Sequence, residues 1–214
     1  MPSSDLIAIP STQRSVGEIA PLLCSGGTAL AGVRAAGLYS GDWLCVTGAA
    51  GGVGSLALQY GKHSGYKVVA VDSEKKRHHC ETLGAKFVAY EDAKNIVRRV
   101  MEITGGGAKG TVVCSANPAS YSSYSQAIEY SAIGATVVSI GPSTIHLHTG
   151  QLIQKGIKLV AQRNGTKKDI TDALALGNQG IVPTVQVVPL ESLDVGLDKL
   201  KSGQVVGRQV IVFT

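Results

Sequence analysis

The stretch that decides the fold is VTGAAGGVGSLALQYGK, residues 46–62. It reads as the end of a strand, a glycine-rich turn and the opening of a helix. WLCVTG (43–48) is a β-branched, apolar run of strand type, and GGVGSLALQYGKHSG continues as a helix closed by Gly65. Working outward, the same rhythm repeats. YKVVAVD (66–72) is the next strand, EKKRHHCETLG a helix closed by Gly84, KFVAY (86–90) a third strand and DAKNIVRRVMEITGG a helix. GTVVCSA (110–116), GATVVSIG (134–141) and KLVAQ (158–162) follow as strands, with a helix over PASYSSYSQAIEYSA. A last helix is expected near LESLDVGLDKLKSG, and RQVIVF ends the chain as another strand. Strands alternating with helical stretches predict βαβ crossovers: an α/β, doubly wound parallel sheet of Rossmann type, with helices on both faces.

Two segments are expected: residues 1–40, which stand outside the rhythm, and a dinucleotide-binding domain over 41–214. LIAIP (6–10) reads as a short strand, and VGEIAPLLCSGGTALAGVRAAG as helical packing around a Gly-Gly break.

Composition narrows the class. Of 214 residues 44% are hydrophobic and 16% charged, enough apolar material for a sizeable core and too little charge for a disordered chain. The formal net charge is +5, spread along the chain apart from Lys75-Lys76-Arg77 and Lys167-Lys168, so a solvated or phosphate-facing surface is expected and no nucleic-acid partner. Cys24, Cys45, Cys80 and Cys114 make no CxxC pair, and Cys45 and Cys114 fall in apolar runs that read as buried free thiols. No opening signal peptide and no run of about 18 apolar residues is present, which points to a cytoplasmic setting without a membrane span.

The glycine window is Gly48-Ala49-Ala50-Gly51-Gly52-Val53-Gly54. Laid on G-x-G-x-x-G, the second and third glycines fall at Gly51 and Gly54, and Ala49 takes the first place, just after Gly48. Glycines there let backbone approach a pyrophosphate, and the helix that follows offers unpaired N–H groups and its positive dipole end. The second strand ends at Asp72, about 18 residues past Gly54, where an acid accepts hydrogen bonds from the ribose hydroxyls and repels a 2′-phosphate. NAD is therefore expected over NADP, a preference that Lys75, Lys76 and Arg77 can soften. Asp72 reads equally as a helix N-cap in Asp-Ser-Glu, and the two roles are compatible.

With these residues in view, VTGAAGGVGSLALQYGKHSGYKVVAVD resembles the medium-chain, zinc-dependent alcohol dehydrogenases, closest to the fungal and bacterial tetrameric type. APLLCSGGTAL (20–30), TGGGAKGTVVCSA (104–116), GATVVSIGPS (134–143) and SGQVVGRQVIVF (202–213) extend the resemblance over nearly the whole chain. It implies an oxidoreductase that transfers hydride between an alcohol or carbonyl substrate and a nicotinamide dinucleotide. By the same resemblance Gly48, Ala50, Gly51, Gly52, Val53 and Gly54 form the loop under the pyrophosphate, and Asp72 is the ribose acid. Lys75 or Lys76 is a basic residue near that ribose. Ser115 and Ala116 line the cofactor cleft, and Ile140 and Gly141 reach the nicotinamide half. Arg208 lies close to the pyrophosphate, where a guanidinium neutralises phosphate charge; its bland reading is an ordinary surface arginine of a terminal strand.

The resemblance also implies that Cys24 is a ligand of a catalytic zinc. Such a zinc needs about three protein ligands, and residues 1–23 offer no other Cys and no His. Zinc is therefore not expected in this chain alone, which corresponds to the family's cofactor domain with most of the N-terminal catalytic domain missing. His63, His78 and His79 are expected on the surface, and His146 and His148 alternate as on one side of a strand. No catalytic residue is assigned. Three functions compete: an NAD-dependent oxidoreductase, a cofactor-binding module without zinc-dependent turnover, and a subunit completed by another chain. The face near 134–162 suits a homodimer or higher oligomer.

Overall fold

In the computed structural model the apolar runs become β1 (Trp43–Thr47), β2 (Lys67–Asp72), β3 (Lys86–Ala89), β4 (Ala108–Val113), β5 (Ser131–Ser139) and β6 (Lys158–Ala161). They form one sheet in the order β3-β2-β1-β4-β5-β6, every neighbouring pair parallel. The structure describes residues 6–12, 14–115, 120–141, 145 and 147–213, with the backbone alone at 120–122. The strand order reverses between β1 and β4, and in open α/β sheets that switch point is where ligands bind, outside the strands' carboxyl ends.

Alternation along the strands explains why these runs are apolar throughout. Leu44 and Val46 of β1, with Val68 and Ala70 of β2, enter one core. Cys45, Val69 and Val71 point the other way, into a second core with Tyr124, Ile128 and Tyr130. A sheet buried on both faces needs apolar residues at both parities, so the period-2 pattern of a half-exposed strand is absent. The first core is closed by α2 (Ser25–Ala35), α3 (Gly52–His63) and α8 (Lys167–Asn178). The second is closed by α5 (Ile96–Thr104), α6 (Ser120–Glu129) and α7 (Thr149–Lys155).

The remaining elements are α1 (Val16–Ile19), α4 (Arg77–Thr82), β7 (Val185–Pro189), α9 (Leu193–Lys201) and β8 (Arg208–Val212). β7 and β8 form a separate two-stranded parallel sheet. No single helix among the described residues is long and apolar enough to cross a membrane; one pair bent by 47°, Val16–Leu23 with Ser25–Ala35, passes by length and composition only.

Several expectations change. LIAIP forms no strand. Gly26 and Gly27 lie inside α2 rather than breaking it; the break falls at Cys24, where a 3-10 turn over Ala20–Leu23 gives way to α2. Close packing explains the two glycines, since a Cβ on Gly27 would stand 2.6 Å from Ile170 Cγ1 of α8. His79 is half-buried rather than on the surface, and burial lowers its imidazole below the usual value, against the pull of Asp72. The sequence reading also passes over α7, α8 and β7.

Candidate functional site

The turn after β1 is shaped by backbone contacts. Gly48 has φ +64°, and its N–H donates to the Val71 carbonyl at 3.0 Å. A Cβ on Gly48 would stand 3.0 Å from Ser115 N, so glycine here meets both a left-handed backbone and a close neighbour. Gly51 then caps α3 in an extended conformation with no side-chain hydrogen bond. Gly54, in the first turn of α3, lies against the strand end: a Cβ would stand 2.8 Å from Ala49 Cα and 2.9 Å from Gly48 C. The first N–H groups of a helix have no partners within it, so Gly52, Val53 and Gly54 present donors and the positive end of a 12-residue helix.

Asp72, at the end of β2, is 6% exposed. Its Oδ2 accepts from Ala50 N–H at 2.8 Å and its Oδ1 from Ser73 N–H at 2.7 Å. Lys76 Nζ stands 3.8 Å from Oδ1. The carboxylate is thus buried only because backbone donors and one cation hold it there. The N-cap reading of Asp72 does not hold, since the 3-10 turn Glu74–Lys76 is capped by Ser73 and without a side-chain hydrogen bond.

Arg208 begins β8, yet its side chain leaves that small sheet. Its Nε donates to Ser25 Oγ at 2.7 Å. A Cβ on Gly52 would collide with the Arg208 side chain, meeting its Cγ at 2.7 Å, so the arginine overlies the opening of α3. Gly207 N–H donates to the Ala50 carbonyl at 2.8 Å, which ties this strand to the glycine turn. Arg208 is therefore a part-buried neighbour of the loop, not an ordinary surface arginine.

A cleft of about 990 Å³ opens beside these groups. Gly48, Gly51, Asp72, Lys75, Lys76 and Ser115 all line it, so the structure brings six of the expected residues to one wall. Ser202, Gly203 and Gln204, the segment after α9, line it too. Thr47 and Ser115 hold buried hydroxyls without a hydrogen-bond partner, and both residues line the cleft. Orphaned buried hydroxyls beside a cavity are groups a ligand can satisfy. Burial pushes the neighbouring Cys114 thiol up to about 12, so it is inert.

Ile140 and Gly141 follow β5 but do not line that cleft. Ile140 donates its N–H to Val113 at 3.3 Å and turns its side chain toward α2, where a Cβ on Gly32 would stand 2.6 Å from Ile140 Cδ1. Ala116 and His146 lie outside the described residues. Thr47 and Glu91 escape the sequence reading, and residues 202–204 enter it only through the resemblance. Thr47 was within reach of it, as the last residue of a strand that points at the switch point.

Cys24 is exposed, and no cluster of three His, Cys, Asp or Glu side chains suited to a metal occurs among the described residues. The donor set around Cys24 among the described residues does not fit a catalytic zinc. The residues around the glycine turn do fit a dinucleotide: a close-approach turn that a Cβ would fill, a helix N-terminus of sufficient length, a held carboxylate and an arginine above them.

The chain and its fold are similar to those of known proteins. Residues 52–179 match the family described as "Zinc-binding dehydrogenase". Alcohol dehydrogenase 2 of Caenorhabditis elegans is 36% identical over 211 residues, 95% of this chain and 59% of that protein. A solved NAD-dependent alcohol dehydrogenase superposes with a TM-score of 0.85 at 25% identity, covering 100% of this chain and 63% of that one. The alcohol dehydrogenase of the hyperthermophilic archaeon Aeropyrum pernix gives 0.83 at 25% identity, over 92% and 58%. The chain thus spans about three-fifths of the length of these relatives.

Proposed function

The chain belongs to the zinc-binding dehydrogenase family, and from that premise we propose that it binds NAD as the cofactor half of an alcohol dehydrogenase-type oxidoreductase. The observation that carries this reading is Asp72: a buried carboxylate at the end of β2, fixed by Ala50 N–H and Ser73 N–H, facing the cleft beside the glycine turn. A carboxylate there accepts from ribose hydroxyls and repels a 2′-phosphate, which selects NAD over NADP. Gly51, Gly52, Val53 and Gly54 hold the pyrophosphate at the start of α3, and Arg208 adds a fixed positive charge above them. The hydroxyls of Thr47 and Ser115 supply further donors. When bound, the dinucleotide provides a hydride acceptor or donor for an alcohol–carbonyl pair.

A second reading has its own support. Leu6, Ile9, Val16, Leu23 and Val187 are exposed, and the chain spans about three-fifths of the length of its relatives. The substrate-binding and metal-binding part is then supplied by further polypeptide, and the described chain binds cofactor without turning over by itself. A homodimer through β5, α7 and β6 is compatible with either reading, since Ile133, Ile153 and Leu159 are exposed there.

Calorimetric titration with NADH tests the first reading. The wild-type chain is expected to bind, and Asp72→Ala to weaken binding about tenfold or more, a loss of about 1.4 kcal/mol. Absence of binding at millimolar cofactor sinks it. An alcohol panel with NAD, followed by reduced-cofactor absorbance, separates a turning-over enzyme from a binding module.

A further inference from the structure

The segment that follows Asp72 is rich in groups a phosphate would seek: the Ser73 hydroxyl, the Glu74 N–H and the cations Lys75, Lys76 and Arg77. In a dinucleotide site this is where the 2′ position of the adenosine ribose is read, a hydroxyl in NAD and a phosphate dianion in NADP. Here all of them but Lys75 already have partners. Tyr90 N–H donates to the Asp72 carbonyl at 2.9 Å, so Glu91 leaves β3 beside the end of β2. The Glu91 carboxylate accepts from Ser73 Oγ–H at 2.7 Å and from Glu74 N–H at 3.2 and 3.0 Å. Arg77 is bound in turn by Glu74 and Glu81, and Lys76 faces Asp72. Both Glu91 and Asp72 line the cleft.

We propose that Glu91 is a specificity-determining residue: an internal anion seated on the donors that a 2′-phosphate would need, which together with Asp72 closes the site to NADP. Two effects act in the same direction. The carboxylate occupies Ser73 Oγ–H and Glu74 N–H, so a phosphate must displace it or do without them. Its charge also repels the dianion, whereas a ribose hydroxyl, being neutral, is little affected. Asp72 alone leaves Ser73 Oγ–H and Glu74 N–H open to a phosphate; with Glu91 in place, both are taken. The inference rests on the dinucleotide reading above.

The test is calorimetric binding of NADH and of NADPH to the full chain and to Glu91→Gln and Glu91→Ala. Glu91→Gln keeps an amide oxygen for Ser73 and Glu74 but removes the charge; Glu91→Ala frees the donors as well. The NADPH affinity is expected to rise at least tenfold in Glu91→Ala and by a smaller factor in Glu91→Gln, with NADH within threefold of wild type in both. Glu91 is exposed, so both variants are expected to fold. An NADPH/NADH ratio within twofold of wild type in both variants overturns the proposal, as does a parallel loss of both cofactors, which would mark Glu91 as a brace for the turn. A wild-type chain that binds NADPH as tightly as NADH also overturns it while leaving dinucleotide binding intact. A wild-type chain that binds neither overturns both readings.

Discussion

The turn after β1 and the turn before α2 make an instructive pair. Each delivers the chain into a core helix from a residue that gives no side-chain cap, Gly51 in one case and Cys24 in the other. Around Gly51 the molecule converges: Asp72 from β2, Ser115 from beyond β4, and Gly207 and Arg208 from the far end of the chain all close on seven residues. Around Cys24 little converges. Its carbonyl accepts from its own helix, from Thr28 N–H and Thr28 Oγ–H, and its side chain faces outward. A long-range bond at this turn, donated by Arg208 Nε to Ser25 Oγ, serves the other one. What separates the two turns is what distant segments bring to them, not their own composition.

The sharpest way to break the comparison is to add one methyl group at the start of each helix. In Gly54→Ala the new Cβ meets backbone, Ala49 Cα at 2.8 Å and Gly48 C at 2.9 Å, and backbone cannot rotate away. We expect a loss of about 3 kcal/mol of stability and NADH binding weakened beyond detection. In Gly26→Ala the new Cβ meets side chains, Ala173 Cβ and Leu22 Cβ at 3.2 Å, which can give by tenths of an ångström. The helix gains about 0.5–1 kcal/mol from losing an interior glycine, so the net change is expected within about 1 kcal/mol. Thermal unfolding of both variants reads the difference; equal losses would mean that the two turns are equally tight.

A smaller effect is expected from acid, and it sharpens the contrast in what holds each turn's helix. α2 is secured by Arg34, whose Nη atoms stand 2.6 Å from Asp169 Oδ1 and 2.6 Å from Asp172 Oδ2 of α8. Burial raises the Asp169 carboxyl, but hydrogen bonds from Thr166 and Arg34 outweigh it, and it lies below its ordinary value. Lys168 and Arg34 hold Asp172 low as well. A carboxyl depressed by folding contributes stability above its unfolded value, near 3.9, and that contribution fades as pH falls through the folded value. Wild-type stability is expected to be flat from about pH 7 to pH 5 in this respect and to decline below about 4. Asp169→Asn is expected to lower stability at neutral pH by about 1 kcal/mol, discounted because Arg34 is half exposed, and to make the acid decline shallower. Denaturant unfolding across that pH range checks both; an unchanged acid slope would remove Asp169 from the account.

Which of these features can be read in the sequence follows from how local they are. The glycine turn and Asp72 are legible because strand, turn and helix are contiguous and the spacing to the next strand is set by one βα unit. α8 was legible in principle: Thr166-Lys-Lys-Asp169 is a capping box, and the structure shows both of its reciprocal bonds. β7 is hard to find because its residues are part-exposed and Pro189 ends it, so VQVVP lacks a buried strand's signature. Glu91 was not legible at all. Its contacts depend on β3 lying beside β2 and on a donor pair 17 and 18 residues earlier in the chain, a relation that only the sheet order creates. The same holds for Ser25 and Arg208, which meet across 183 positions.

The smallest expected effect is at Cys24, and its smallness is the point. A cysteine that ligates a metal needs partners, and none are gathered around this one among the described residues. Cys24→Ser is therefore expected to shift the unfolding midpoint by less than about 1 °C, to leave NADH affinity within twofold, and to leave the metal content of the purified chain unchanged. The other cysteines supply the control. Burial pushes the Cys45, Cys80 and Cys114 thiols up to about 12, which suppresses the thiolate that alkylating reagents require. One equivalent of a small alkylating reagent should therefore be taken up by the native wild-type chain, and none by Cys24→Ser. Stoichiometric zinc that is lost in Cys24→Ser and that protects Cys24 from alkylation would reverse the comparison. It would mean that the ligands missing around Cys24 come from residues beyond those described or from a second polypeptide, and that this turn, like the other, is completed by distant segments.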